Sequence, residues 1–204
     1  MIKKLIGGIK HFDLMVLATF TTMLAYSATY PYIHKQVMMV VSEKFVALAT
    51  IINCLGIIIT DRIWQHFGKK LYKSYVLFCI LECATTTATA LYCLLSKDLA
   101  AYFIIDSVVF AIMSRNVICG SRRLRAIRYK KKEDRIKYEN NDSTAGSIAT
   151  LIGSGLSIVI GLPFEIMLII ATIGNCVDNA FYIKIFNETP NIPDDEDIEE
   201  SDEE

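Results

Sequence analysis

Long apolar runs separated by short polar connections fill most of the first 186 residues. An α-helix rises about 1.5 Å per residue, so roughly 20 apolar residues cross a hydrocarbon core of about 30 Å. Six runs approach this length and predict membrane-spanning helices at 14–33, 45–59, 75–95, 99–119, 143–160 and 164–186. The second run is short, and we expect its helix to continue through 60–64. The pattern therefore predicts an all-α membrane protein with six transmembrane helices in one bundle.

The overall composition excludes a large soluble catalytic module. Hydrophobic residues make up 53% of the 204 residues, charged residues make up 21%, and the mean hydropathy is +0.39. The charges are unevenly placed, because residues 187–204 hold 10 of the 22 acids and none of the 21 bases. A segment so acidic and so poor in apolar residues cannot bury a core. We therefore predict a six-helix transmembrane bundle over 1–186 and an acidic, disordered cytoplasmic tail over 187–204.

The basic residues predict the orientation of the bundle. Lys and Arg in short loops are retained on the cytoplasmic side of a membrane. If both termini are cytoplasmic, only Lys35, Lys44 and Lys97 lie outside, and the other 18 bases lie inside or at the inner boundary. We therefore expect a multi-pass protein of the plasma (inner) membrane with both termini in the cytoplasm. The alternative for the first run is a cleaved signal peptide, but Tyr26 fits poorly at position −3 of a cut after Ala28.

Four ionisable residues inside the predicted spans need a reason to be there, because each costs roughly 2.5–3.5 kcal/mol or more in hydrocarbon. They are Glu82, Asp106, Arg115 and Asp178. Arg115 lies at a depth similar to that of Glu82 and Asp178, so an ion pair with either acid is geometrically feasible. The alternatives for Arg115 are a purely structural salt bridge and extension to the lipid headgroups. Asp106 lies nearer the outer face with no base at its depth, which suits a proton carrier and equally suits a protonated acid bonded to Thr or Tyr.

The fifth run is rich in small residues. They recur at helical spacing and form a nearly continuous smooth stripe. Such stripes let two helix backbones approach closely. We therefore predict a tight helix contact made by Gly146, Thr150, Gly153, Ser154, Ser157 and Gly161.

Sequence patterns typical of enzymes and cofactor sites are absent from the chain. It contains no P-loop G-x-x-x-x-G-K-[ST] and no H-E-x-x-H, and its three histidines are far from the predicted depth of Ser154. The six cysteines show no C-x-x-C spacing, so they are better interpreted as small packing residues. We expect no enzymatic activity, no cofactor, no metal ion and no nucleic-acid partner.

The second run ends in a segment similar to a motif of major facilitator transporters. Gly56-Ile-Ile-Ile-Thr-Asp61-Arg62 is followed by Gly68-Lys69-Lys70. In that family the loop between the second and third helices reads Gly-x-x-x-Asp-Arg-x-Gly-Arg/Lys-Arg/Lys. Here the aspartate comes one residue later, and residues 63–67 replace a single residue. The resemblance implies an inner-loop gating role for Asp61, Arg62, Gly68, Lys69 and Lys70.

Later segments also resemble one half of a drug-efflux member of this family. Tyr138-Glu-Asn-Asn141, the fifth run and Gly174-Asn-Cys-Val-Asp178 look like the corresponding segments of that half. The family's fifth helix normally carries Gly-Pro, whereas Gly153 is followed by Ser here, and Arg115 corresponds to the arginine of the fourth helix. The resemblance covers roughly residues 8–186 and implies a bundle of two inverted three-helix repeats.

Members of the family normally carry two six-helix bundles with the substrate between them. We therefore expect a half-size transporter in the lipid bilayer that works as a homodimer or with a separate six-helix half. The expected activity is proton-coupled efflux of a small amphipathic molecule or peptide, with Asp106, Glu82, Asp178 and Arg115 in the pathway. The alternatives are a truncated remnant and a non-transporting membrane module, such as a bacteriocin-immunity or accessory protein.

Overall fold

A computed structural model describes residues 13–160 and 162–189, with 157–160 described in their backbone only. Over these residues the regular structure is entirely helical, as the sequence predicts. The helices are α1 (Leu14–Val40), α2 (Glu43–Tyr72), α3 (Tyr75–Ser96), α4 (Leu99–Arg128), α5 (Lys132–Ile160) and α6 (Phe164–Glu188). A π-helical turn, Phe110–Ser114, separates the two α-helical parts of α4, Leu99–Val109 and Arg115–Arg128.

The helices are longer than the apolar runs that predict them. α2 continues to Tyr72, α4 continues to Arg128, and α5 begins at Lys132, well before its apolar part. Lys, Arg and Glu favour helix as well as most apolar residues do, so a helix need not end where hydropathy falls. Connections between helices are short. After α3 the chain turns at Lys97, which has a left-handed φ of 55°, and Asp98 then caps α4 by accepting two backbone N–H bonds at 3.1 and 3.0 Å.

Two buried clusters define the ends of the bundle and show that successive helices run in opposite directions. The first joins the early parts of α1, α3 and α5 to the late parts of α4 and α6, through Met15, Val16, Tyr75, Cys79, Val117, Leu124, Tyr138, Ala145 and Ile185. The second joins the late parts of α1 and α3 to the early parts of α4 and α6, through Ile33, Val37, Val41, Ala90, Cys93, Tyr102, Met167 and Leu168. We call the first end the basic end, because the Lys- and Arg-rich connection from α4 to α5 lies there, and the second the opposite end.

Helix packing repeats after three helices. α1 packs against α5 and α6, α4 packs against α2 and α3, and α3 packs against α6. Exchanging α1, α2 and α3 with α4, α5 and α6 leaves this scheme unchanged. Each helix and its equivalent are three positions apart in an alternating bundle, so the two run in opposite directions. This packing scheme is the one expected of inverted-topology repeats.

The outer surface of the bundle is apolar over long stretches. On α2, the side chains of Ile51, Leu55, Ile58 and Ile59 are each more than half exposed, which indicates contact with lipid or another protein. Within the described residues, α2, α3, α4 and α6 are long and apolar enough to cross a membrane. These features indicate a membrane protein. The other two helices, α1 and α5, are not among these four, and α1 also contains Pro31. Six spans with cytoplasmic termini therefore stay a prediction.

Parts of the predicted tail and small-residue stripe lie outside the described residues. α6 includes the first two residues of the predicted tail and ends at Glu188, while 190–204 are outside the described range. Gly161 and the side chain of Ser157 are outside it as well.

Candidate functional site

An ion pair joins α2 and α4 toward the basic end. Arg115 donates from Nε to Asp61 Oδ1 at 2.7 Å and from Nη2 to Oδ2 at 2.5 Å, which is a bidentate, charge-assisted contact. The Cys119 thiol, one turn further along α4, donates to Asp61 Oδ1 at 3.4 Å. The exposed fraction is 17% for the Arg115 side chain and 33% for that of Asp61, so the pair is partly buried. The contact fixes α2 against α4 in one register.

Arg115 therefore pairs with Asp61 rather than with Glu82 or Asp178, the acids considered from the sequence. Depth along the helices placed those three residues together, but depth does not specify the direction in which a side chain points. In the structure Arg115 points toward α2, and its neighbour Ser114 bonds to Glu82 instead.

Other contacts hold the α2–α4 interface around the ion pair. Thr60 donates to the Ala111 carbonyl at 3.2 Å, and the Trp64 indole donates to Asn116 Oδ1 at 2.7 Å. A Cβ added to Gly56 would lie 2.5 Å from the Cβ of Ala111, so the two backbones touch there. Ala111 belongs to the π-helical turn, a feature often found at functional sites. The interface is closed by close packing and by polar bonds together.

The residues of the major facilitator-like motif lie on a helix rather than in a loop. All are within α2: Asp61, Arg62, Gly68, Lys69 and Lys70. Asp61 faces α4, while the exposed Arg62 donates to Gln65 of its own helix at 3.2 Å. The other three line a separate pocket at the end of α2, beside Arg123.

A second polar cluster lies between α3 and α6. Glu82 is only 4% exposed and accepts from Asn179 Nδ2 at 3.0 Å, and Ser114 of α4 bonds to the same carboxyl group. One turn earlier on α6, Asn175 donates to Thr86 at 3.3 Å. Neither asparagine is among the site residues expected from the sequence, although their spacing of four places them on one helix face.

Asp178 lies beside this cluster, toward α1. Thr22 of α1, whose hydroxyl donates to the Ala18 carbonyl at 2.9 Å, lies beside its carboxyl group, and Oδ1 is buried without a hydrogen-bond partner among the described residues. The Glu82 carboxyl is near enough to act on Asp178 electrostatically. Two neighbouring carboxyl groups thus lie between α1, α3 and α6, in a cluster where Arg115 takes no part.

Asp106 lies in the other half of the bundle, among aromatic side chains. Tyr102 of α4 and Tyr26 of α1 are both within electrostatic range of it. Tyr26 stacks on Tyr30 with ring centroids 4.4 Å apart, and Tyr30 stacks on His34 at 5.6 Å. Tyr26 and Tyr30 are 51% and 41% exposed. Within the described part of the chain, no hydrogen bond or ion pair reaches the Asp106 carboxyl group.

The small residues of α5 divide into a tight contact and an open groove. A Cβ on Gly153 would lie 2.7 Å from the Leu24 carbonyl oxygen and 2.9 Å from Ser27 Cβ, so α5 touches the α1 backbone there. Nearer the basic end a groove of about 660 Å³ opens between α1 and α5. Its lining includes Gly146 and several Ser and Thr side chains.

Comparison with known proteins gives no role to any of these side chains. No family model, curated protein or solved structure matches this chain. The likeness to major facilitator transporters therefore rests on the sequence segments quoted above, and function is inferred from the geometry.

The arrangement separates satisfied polar groups from unsatisfied ones. The Asp61 and Arg115 charges neutralise each other, whereas the carboxyl groups of Asp106 and Asp178 retain bonding capacity. Over the residues that the structure describes, no group of three His, Cys, Asp or Glu side chains is placed to hold a metal ion. The unsatisfied groups are suited to binding protons or a polar ligand.

Proposed function

We propose that the chain is half of a membrane transporter and that two copies enclose a polar path. The path follows α1 and α4 past Tyr26, Tyr30, His34 and Asp106, and it exports a small amphipathic molecule or peptide. Asp106 binds and releases the proton that drives the movement. The observation that carries the proposal is the unpartnered Asp106 carboxyl beside a stack of half-exposed aromatic side chains in a span-length apolar helix.

A polar face of this kind requires a cover. Ionisable side chains within a membrane normally face protein or a water-filled cavity, because exposure to lipid tails is costly. Thr19, Met23, Tyr26 and Tyr30 follow one another at spacings of three or four, so the groove and the tyrosine stack share one face of α1. A second six-helix unit over this face would cover both and leave a wet passage between the units.

The packing scheme supports the same conclusion. Transporters built from inverted repeats place substrate and ion sites near the membrane midplane, at the repeat interface. In the present bundle α1 and α4 are the equivalent first helices of the two repeats. The tyrosine stack lies on one of them and Asp106 on the other.

The Asp61–Arg115 pair stabilises one relative position of α2 and α4 at one end of the proposed path. The proposed cytoplasmic end is the basic end, because Lys and Arg concentrate there. An ion pair between α2 and α4 at that end favours one relative position of the two helices. Alternating access by rocking requires a second position, in which this contact is strained or broken.

Reconstitution of the full chain in liposomes tests the proposal. An imposed pH gradient supplies the driving force, an entrapped pH-sensitive dye reports proton movement, and ethidium serves as the amphipathic probe. Asp106→Asn keeps the size of the side chain and removes its titration, so both fluxes should fall to background while the protein stays folded. Glu165→Gln is the matched control, because Glu165 is an exposed acid at the same end of the bundle. Its fluxes should equal those of the wild type.

The remaining acids and the oligomeric mass complete the test. Glu82→Gln and Asp178→Asn are measured in parallel, since either carboxyl could carry the proton instead. Wild-type fluxes in Asp106→Asn would remove that residue from the mechanism. A chain that is monomeric in the bilayer and moves neither protons nor ethidium is instead a non-transporting membrane module.

A further inference from the structure

A pocket at the basic end lies apart from the proposed transport path. It is found where α2 and α4 end and has a volume of about 520 Å³. Its lining includes Trp64, Phe67, Gly68, Lys69, Lys70 and Arg123. Three of these side chains are cationic. We propose that this pocket binds the headgroup of an acidic phospholipid.

The pocket has fixed walls on both helices. Trp64 is 8% exposed, and its indole is held by Asn116 of α4 at 2.7 Å. Gly68 forms part of the floor, because a Cβ there would lie 3.3 Å from Arg123 Nη1 and 3.7 Å from the Trp64 ring. The absence of a side chain at 68 lets the Arg123 guanidinium group lie close against the α2 backbone. A guanidinium fork matches the geometry of phosphate oxygens.

An apolar track leads from the pocket along α2. Phe67, Ile63 and Ile59 are 55%, 44% and 58% exposed, and their spacing of four places them on one helix face. Lys70 follows Phe67 by three residues and extends the same face to the pocket. The charged and apolar parts of the surface therefore adjoin, as the headgroup and acyl chains of a lipid do. A soluble anion would use only the charged part.

The position of the pocket in the fold favours a lipid as well. α2 and α4 are each long and apolar enough to cross a membrane, so their shared end is expected at headgroup level. Basic pockets between transmembrane helices bind acidic headgroups in this way. The inference does not depend on transport, because it requires only that the two helices span a bilayer.

Native mass spectrometry of the full chain in detergent tests the inference, with phosphatidylglycerol or phosphatidylcholine added as the probe. We expect phosphatidylglycerol to be retained more strongly and to raise the thermal unfolding midpoint. Lys70→Gln/Arg123→Gln should weaken its binding by about fivefold for each charge removed. Lys131→Gln/Lys132→Gln removes the same charge from exposed positions at the same end, outside the pocket, and should bind like the wild type.

Two further experiments distinguish lipid binding in the pocket from diffuse attraction and from binding of a soluble anion. One fills the pocket with a side chain, and the other replaces the lipid with a soluble headgroup. Gly68→Leu keeps every charge but occupies the floor, so it should also weaken phosphatidylglycerol binding. Equal losses in the two charge variants, with Gly68→Leu unaffected, would overturn the site in favour of diffuse attraction. Soluble glycerol phosphate should stabilise the protein far less than the lipid. If it stabilises the protein equally, the pocket is a site for a soluble anion and the lipid proposal fails.

Discussion

The α2–α4 and α1–α5 interfaces are equivalent in the packing scheme but differ in chemistry. Each contains a glycine pressed onto the partner helix, Gly56 against Ala111 in one and Gly153 against the α1 backbone in the other. Toward the basic end, α2–α4 carries the bidentate Asp61–Arg115 pair. The α1–α5 interface instead has a groove of about 660 Å³, whose lining combines Ser and Thr side chains with Asp142, Met23 and Leu151.

The difference shows that close packing and locking are separate properties of a helix pair. Small residues determine how closely the backbones approach. Charged and hydrogen-bonding side chains determine whether the approach is tied to one register, as Thr60, Trp64 and the ion pair do between α2 and α4. In the proposed transporter, the α2–α4 contacts favour the helix position that the structure shows, and the α1–α5 groove faces the second copy.

Breaking the ion pair should lower the free energy of unfolding more than any other change at these two interfaces. Arg115→Leu leaves Asp61 charged and without its bidentate donor. Removing one partner of a buried pair costs about 3–5 kcal/mol, and we expect the lower end because the Asp61 side chain is 33% exposed. Denaturant unfolding of the purified chain in detergent measures the loss.

A variant that lacks both charges shows how much of the loss comes from leaving Asp61 charged and unpaired. Asp61→Leu/Arg115→Leu leaves no charge unpaired, so it should be more stable than Arg115→Leu alone. If Arg115→Leu unfolds at the same denaturant concentration as the wild type, the pair does not hold the interface and the contrast with α1–α5 disappears.

Replacing either interfacial glycine with alanine should cause the next largest loss of stability, and the loss should be similar at the two positions. In Gly56→Ala the new Cβ would lie 2.5 Å from Ala111 Cβ, and in Gly153→Ala it would lie 2.7 Å from the Leu24 carbonyl oxygen. Overpacking of this kind costs about 1–3 kcal/mol. Gly155 has no atom within 4 Å of an added Cβ, so Gly155→Ala is the control and should gain up to about 1 kcal/mol of helix propensity. Equal thermal midpoints for the three variants would contradict close packing at either interface.

The sequence predicted the helices better than their ends. The apolar run of α2 stops at residue 59, yet the helix continues to Tyr72, because its polar residues also favour helix. Hydropathy reports the part of a helix suited to hydrocarbon and does not report where hydrogen bonding stops. Asp61 falls within the expected continuation of this helix at 60–64, but the family resemblance implies a gating role for it, and the sequence gives no reason to pair it with Arg115.

Side-chain direction explains the other differences. Counting residues from the end of a run predicts depth, so Asp106 could be singled out as an acid without a base at its level. The partner of Arg115 also depends on rotation about the helix axis, and the π-helical turn Phe110–Ser114 changes that rotation just before it. The Glu82–Asn179 contact depends on how α3 faces α6, which a single chain pattern does not contain.

The α1–α5 interface also has a polar tether at the basic end. Asp13 caps α1 by accepting from the Met15 N–H at 3.0 Å, and the Tyr129 hydroxyl donates to its other carboxylate oxygen. Arg128 Nη2 lies 3.9 Å from Asp13 Oδ1. The Tyr129 ring stacks on Tyr138 of α5 at 4.6 Å, so the α4–α5 connection ties the start of α1 to α5.

Loss of this tether should have the smallest effect. Tyr129→Phe keeps the ring stack and removes the hydrogen bond, which should cost about 0.5–1.5 kcal/mol. Asp13→Ala also removes the cap of α1 and should therefore lower the free energy of unfolding by about 1 kcal/mol more. Asp98→Ala removes only a cap, at the start of α4, and measures this contribution separately.

The pH dependence of the Tyr129→Phe effect decides whether the hydrogen bond is the tether. Burial, and after it the Asp13 carboxylate, raises the pKa of Tyr129. The phenol is therefore protonated at neutral pH, and its contribution to stability is lost only as the pH rises above about 10, the ordinary pKa of tyrosine. The difference in thermal midpoint between the wild type and Tyr129→Phe should shrink above that pH. Because the variant keeps the ring stack, a difference that does not change with pH would show that the effect does not come from a hydrogen bond that Tyr129 donates to Asp13, and the tether assigned to this bond would be contradicted.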